Sequence, residues 1–71
     1  MYIVMEIQKA EERLSTIVTQ HETLQDAKAK YFQVLSAAVN SPLERHFVTI
    51  LTEKGSSLLN DGFDHKEIGE V

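Results

Sequence analysis

The first 39 residues of this chain contain neither glycine nor proline. That is the feature that most constrains its fold, because both usual interrupters of a regular element are missing from more than half of 71 residues. Within this run, positions 3, 7, 10, 14, 17, 21, 24, 28, 31, 35 and 38 hold Ile3, Ile7, Ala10, Leu14, Ile17, His21, Leu24, Lys28, Tyr31, Leu35 and Ala38. The steps alternate between four and three, and all but His21 and Lys28 are apolar or aromatic, which is the a/d pattern of a heptad. Val4, Val18, Phe32 and Val39 widen the stripe to a bundle-type face. The spacing predicts one amphipathic helix over about residues 2–39, roughly 57 Å long at about 1.5 Å per residue.

Asn40 suits a C-terminal cap, and Ser41-Pro42-Leu43-Glu44 reads as a capping box with proline at the first helical position. A second helix is expected over about 42–60. Leu43, Phe47, Ile50, Leu51, Leu58 and Leu59 keep helical spacing there around a tolerated Gly55. Asn60-Asp61-Gly62 would end it, leaving a tail over 61–71. The expected fold is all-α: a single helical-hairpin domain that dimerises through coiled-coil or four-helix-bundle packing.

Antiparallel pairing from the turn exhausts helix 2 near residue 22. Ile3, Val4, Ile7, Ala10, Leu14, Ile17, Val18 and His21 then form a stripe with no intrachain partner. A large aliphatic side chain gains about 1.5–3 kcal/mol on full burial. The stripe is therefore the expected interface, occupied by a second copy in a homodimer or tetramer, or by a larger protein.

Composition narrows the chemistry. No cysteine is present, so disulfides and thiolate metal sites are excluded. Seven basic against eleven acidic residues give a net charge of −4, which opposes broad contact with a phosphate backbone. No segment reaches the ~20 apolar residues of a helical membrane span, and Met1–Met5 is too short for a signal sequence. A cytoplasmic setting without membrane or direct nucleic-acid contact is expected. His21, His46 and His65 fall in three separate segments without a Glu-x-x-His pair, so no metal site, cofactor or catalytic residue is expected.

Two local resemblances bear on function. His21-Glu22 resembles the phosphoaccepting His-Glu of histidine-kinase dimerisation domains, which are also helical hairpins. The resemblance implies phosphotransfer through His21, although Thr23-Leu24-Gln25 stands where that family has a basic residue and a Thr/Asn-Pro. Leu58 to Val71, with Gly62-Phe63 before Lys66-Glu67-Ile68, resembles the opening helix of some helix-turn-helix regulators. It implies mixed pairing with a DNA-binding relative, since no recognition helix follows. The leading expectation is a small acidic regulator that binds a larger protein, such as a transcription regulator, by helix–helix contact. The alternatives are a structural oligomerisation adaptor and a phosphotransfer hairpin using His21.

Overall fold

The structure is a computed structural model and describes residues 1–65. Its elements are β1 (Tyr2–Ala10), β2 (Arg13–His21), α1 (Leu24–Val39), β3 (Arg45–Thr52) and β4 (Ser57–Asp64). The strands form one antiparallel sheet in the order β2-β1-β3-β4, and α1 packs on one of its faces. The all-α helical hairpin, and with it the coiled coil and four-helix bundle, is therefore overturned. The expected first helix over 2–39 is β1, β2 and α1. The expected second helix over 42–60 is a loop, β3, a turn and the first half of β4.

The misreading has a specific cause. A step of four returns to the same face of a strand and lies only ~40° off on a helix, so pairs such as Ile3/Ile7 and Leu14/Val18 satisfy both periods. Only the steps of three favour a helix, and those at 7→10 and 14→17 join residues on opposite faces of the sheet. Local propensity points the other way: Ile3, Val4, Ile7, Thr16, Ile17, Val18 and Thr19 are β-branched. So is much of Phe47-Val48-Thr49-Ile50-Leu51-Thr52.

The β1–β2 turn is Glu11-Glu12, with Ala10 opposite Arg13 and Glu11 at φ 59°. Neither residue carries the Asn-Gly or Asp-Gly signal of a two-residue hairpin, so the sequence shows nothing there. The β3–β4 turn is different. Gly55 N–H donates to the Thr52 carbonyl (2.9 Å), Thr52 N–H donates to the Ser56 carbonyl (2.9 Å), and Gly55 sits at φ 91°. This is a three-residue hairpin with glycine in the left-handed position, so Gly55 makes a turn rather than interrupting a helix.

Helix α1 occupies the last part of the run read as helical and ends at its expected cap, Asn40. Its start was not anticipated. Thr23 Oγ1 accepts from Asp26 N–H (3.1 Å), and the Asp26 carboxylate suits the positive end of the helix dipole. The Ser41 hydroxyl accepts from Leu43 N–H (3.2 Å), so the supposed capping box is a local turn leading into β3.

The core lies between α1 and the central strands. Val4 of β1 and Val48 and Ile50 of β3 pack with Ala27, Tyr31 and Val34, with Tyr2, Leu24, Leu35 and Leu59 around them. Val4 stands opposite Ile50, and Glu6 opposite Val48, so residues 2, 4, 6, 8 and 46, 48, 50, 52 share the helix-covered face.

The two turns predict opposite effects. Glu11→Gly removes a left-handed non-glycine residue and should stabilise the fold by about 1 kcal/mol, raising Tm by roughly 4–8 °C. Gly55→Ala should destabilise it by about 1–2 kcal/mol through backbone strain alone, because an added Cβ meets no atom within 4 Å. Equal effects of like sign in urea denaturation would contradict this turn geometry.

Candidate interaction surface and the buried polar pair

The strand registers divide the expected interface residues between two faces. Met5 pairs with Val18, Ile7 with Thr16, and Lys9 with Leu14. On the other side of β1, Ile3 pairs with Leu51 and Ile7 with Phe47. Ile3, Met5, Ile7, Leu14, Val18, Phe47 and Leu51 thus share the face opposite α1, and no described element covers it. Of the eight interface residues expected from the sequence, Ile3, Ile7, Leu14 and Val18 lie here. Val4 is in the core, Ile17 and His21 are on the helix side of β2, and Ala10 is exposed at the strand end. Met5, Phe47 and Leu51 share this face as well; two-residue alternation in β1 and β3 is the sequence signal that places them there.

The open face is apolar and nearly neutral. Leu14 is 65% exposed and Val18 52%. Its charged members are Lys9, Arg45 and Asp64 at one end, where Arg45 Nε is 3.0 Å from Asp64 Oδ2. The acidic residues Glu11, Glu12, Glu22, Asp26 and Glu53 lie on turns or on the helix. Near the centre is a groove of about 310 Å³ lined by Ile7, Phe47, Thr49, Asn60 and Gly62. Phe47 stands opposite Gly62, and a Cβ there would collide with the Phe47 ring and the His46 carbonyl oxygen. Glycine at 62 therefore lets the aromatic ring lie across the neighbouring strand.

A polar pair sits on the covered face. His46, 5% exposed, places Nε2 2.5 Å from Glu6 Oε2, and Gln8 Nε2 donates to the same oxygen (2.8 Å). A carboxylate only accepts, so His46 Nε2 carries the hydrogen. His46 Nδ1 is buried without a hydrogen-bond partner. Burial pushes the Glu6 pKa up. The hydrogen bonds from Gln8 and His46, with electrostatic attraction from the His46 ring and the Lys30 ammonium, outweigh it and leave the carboxyl below its ordinary value. One ring nitrogen of His46 is engaged and the other is sealed, which suits an internal brace better than a base that must reach a substrate.

The other histidines are separate. His21 ends β2 with Nε2 2.9 Å from Thr19 Oγ1, and His65 Nε2 lies 2.8 Å from the Ala38 carbonyl. His21 lies on no helix, and the hairpin on which the histidine-kinase likeness depended is not formed. The helix-turn-helix likeness fails where it can be checked, because residues 58–64 are strand; 66–71 lie outside the described residues. Among the described residues no cluster of three or more potential metal ligands occurs, and no helix is long and apolar enough to cross a membrane. No known protein family, curated protein or solved structure significantly matches the chain.

The lowered Glu6 pKa fixes a sign for acid sensitivity. Its ionised form contributes stability above the ordinary value of 4.5, and that contribution is lost as pH falls through the lower folded value. Glu6→Gln should cost about 1–3 kcal/mol at neutral pH. It should also flatten the loss of stability as pH falls from neutral through the acid range below 4.5. Parallel wild-type and variant profiles over that range would show that the Glu6 charge does not brace the fold.

Proposed function

We propose that this chain is a non-enzymatic interaction protein whose central act is association through the open sheet face, with a second copy as the occupant. The observation that carries this reading is the placement of Ile3, Met5, Ile7, Leu14, Val18, Phe47 and Leu51 on one uncovered surface. Contiguous apolar patches of several hundred Å² on small proteins are characteristically binding sites.

Area and charge favour a second copy. Strands about 4.8 Å apart, with about 3.4 Å per residue, give a flat face of roughly 15–19 by 27–30 Å before side-chain relief is counted. That is roughly 400–570 Å² of flat area, the scale of a small interface beside the ~800 Å² each partner contributes to a standard one. The net charge of −4 does not oppose the contact, because its acidic residues lie largely off this face. Two such faces stack ~10 Å apart with strands crossing at about −30°, and the Phe47–Gly62 relief supplies a ridge and an adjoining groove. The assembly is a sheet-on-sheet dimer with a helix on each outer side. It replaces the helix–helix contact expected from the sequence.

Sedimentation equilibrium tests this. The wild type should be a dimer with Kd in the range of about 1–100 µM, and its Tm should rise with concentration. Ile7→Lys should make it monomeric at those concentrations. Leu14→Lys, at a largely exposed position and so expected to change monomer stability by no more than about 0.5 kcal/mol, should weaken the dimer with its circular dichroism unchanged. A wild-type monomer at several hundred micromolar would overturn the reading.

A further inference from the structure

The two outer edges of the sheet are built differently. β4 pairs with β3 through a register shift at Ile50/Leu51 and carries Asn60, Asp61, Gly62 and Asp64. The Asp61 carboxylate accepts from Gly62 N–H (2.8 Å), occupying one donor along that strand. Irregularity, charge and occupied donors are the devices by which natural sheets block addition of a further strand.

β2 lacks them from Leu14 to Gln20. All nine of its residues pair with β1 without a shift, and among the described residues no strand lies beyond it. From Leu14 to Gln20 it has no charged residue, proline or glycine. It is also bare on both sides: Leu14 and Val18 are exposed on the open face, and Ile17, 46% exposed, on the helix side. A long regular edge with unpaired backbone groups and apolar flanks is a template for another strand.

Charge indicates which strand. The uncharged stretch is preceded by Glu11, Glu12 and Arg13, net −1, and followed by His21 and then the acidic Glu22 and Asp26. Arg13 and His21 are the only basic side chains of β2. Antiparallel pairing of β2 with its own copy would set Glu12 beside the partner's Glu22 at both ends, a repulsion that one Arg13 at each end offsets only in part. A foreign strand with basic ends meets complementary charge at both.

We propose that the free edge of β2 captures an extended segment of another protein by strand addition. That segment has about seven to nine residues, is uncharged and β-branched in its middle, and carries Lys or Arg at its ends. The proposal rests on the reading of the chain as an interaction protein but uses the backbone edge of β2, which shares only Leu14 and Val18 with the dimer face. Main-chain hydrogen bonds along β2 supply the attachment, Leu14, Ile17 and Val18 flank the added side chains, and the acidic ends select the charge.

The test uses the full chain and three synthetic peptides with a Thr-Val-Thr-Val-Thr centre: one with two lysines at each end, one with two glutamates at each end, and a lysine-ended one with its central threonine replaced by proline. The lysine-ended peptide should bind at least about tenfold more tightly than the glutamate-ended one. Its backbone amide NMR shifts should concentrate on residues 13–21, and the proline peptide should not bind. Substituting Glu11→Gln, Glu12→Gln and Glu22→Gln together should reduce the charge preference to less than about threefold. Ile7→Lys, which removes the dimer, should leave peptide binding intact, so failure of the dimer reading and failure of this one are separable. The proposal is overturned by equal binding of the proline peptide, by shifts centred on Phe47 and Thr49, or by no binding up to about 1 mM, where affinity falls to ~4 kcal/mol. A wild-type tetramer that reverts to a dimer with Ile17→Lys would place a second copy on this edge and overturn it equally.

Discussion

One helix has to serve four strands, and the rest of the structure follows from that shortage. α1 has 16 residues, about 24 Å of length and about 10 Å of diameter. Strands lie about 4.8 Å apart, so such a cylinder covers about two of them. It covers β1 and β3, and the core is what those two strands and the helix bury together: Val4, Val48 and Ile50 against Ala27, Tyr31 and Val34. Everything outside that contact is left accessible, namely the opposite face of the sheet and nearly all of β2.

The polar pair shows how narrow the core is. Glu6 and His46 lie on the same covered face as Val4 and Ile50, one or two pairs along the central strands. Further out the helix no longer supplies enough apolar contact, and a hydrogen-bonded pair with Gln8 fills the space instead. Such a pair adds little net stability, yet losing one member strands the other in a dry setting. The small core also explains the value of a second layer on the open face: a chain of this size buries only about 60% of its unfolded surface, and association is one way to bury more.

The sequence announced the apolar residues but misplaced their neighbours. The alternating three- and four-residue steps are present, yet every step of four is ambiguous between helix and strand. The hairpin that would have resolved it turns on Glu11-Glu12, where a non-glycine residue adopts positive φ without any sequence signal. The helix was legible where it is real: Leu24, Tyr31, Leu35 and Ala38 lie on its stripe, and Asn40 closes it. Ile3, Ile7, Leu14 and Val18 were legible as apolar residues in need of a partner. That they share a surface with Met5, Phe47 and Leu51 was not, because the union depends on pairs distant in sequence, such as Ile3 with Leu51 and Ile7 with Phe47.

Taken alone, the sequence determined the absence of disulfides, the acidic balance, the end of the helix at Asn40 and a surplus of apolar side chains over what one short chain can bury. Those are properties of composition and local chemistry, and no fold can alter them. Only the tertiary structure decided which side chains form the core, which form the open face, and that β2 is left bare at its edge. The physical reason is that a strand has no hydrogen-bonding partner within itself. Its identity, its register and the face each residue presents are fixed only when another strand is laid beside it.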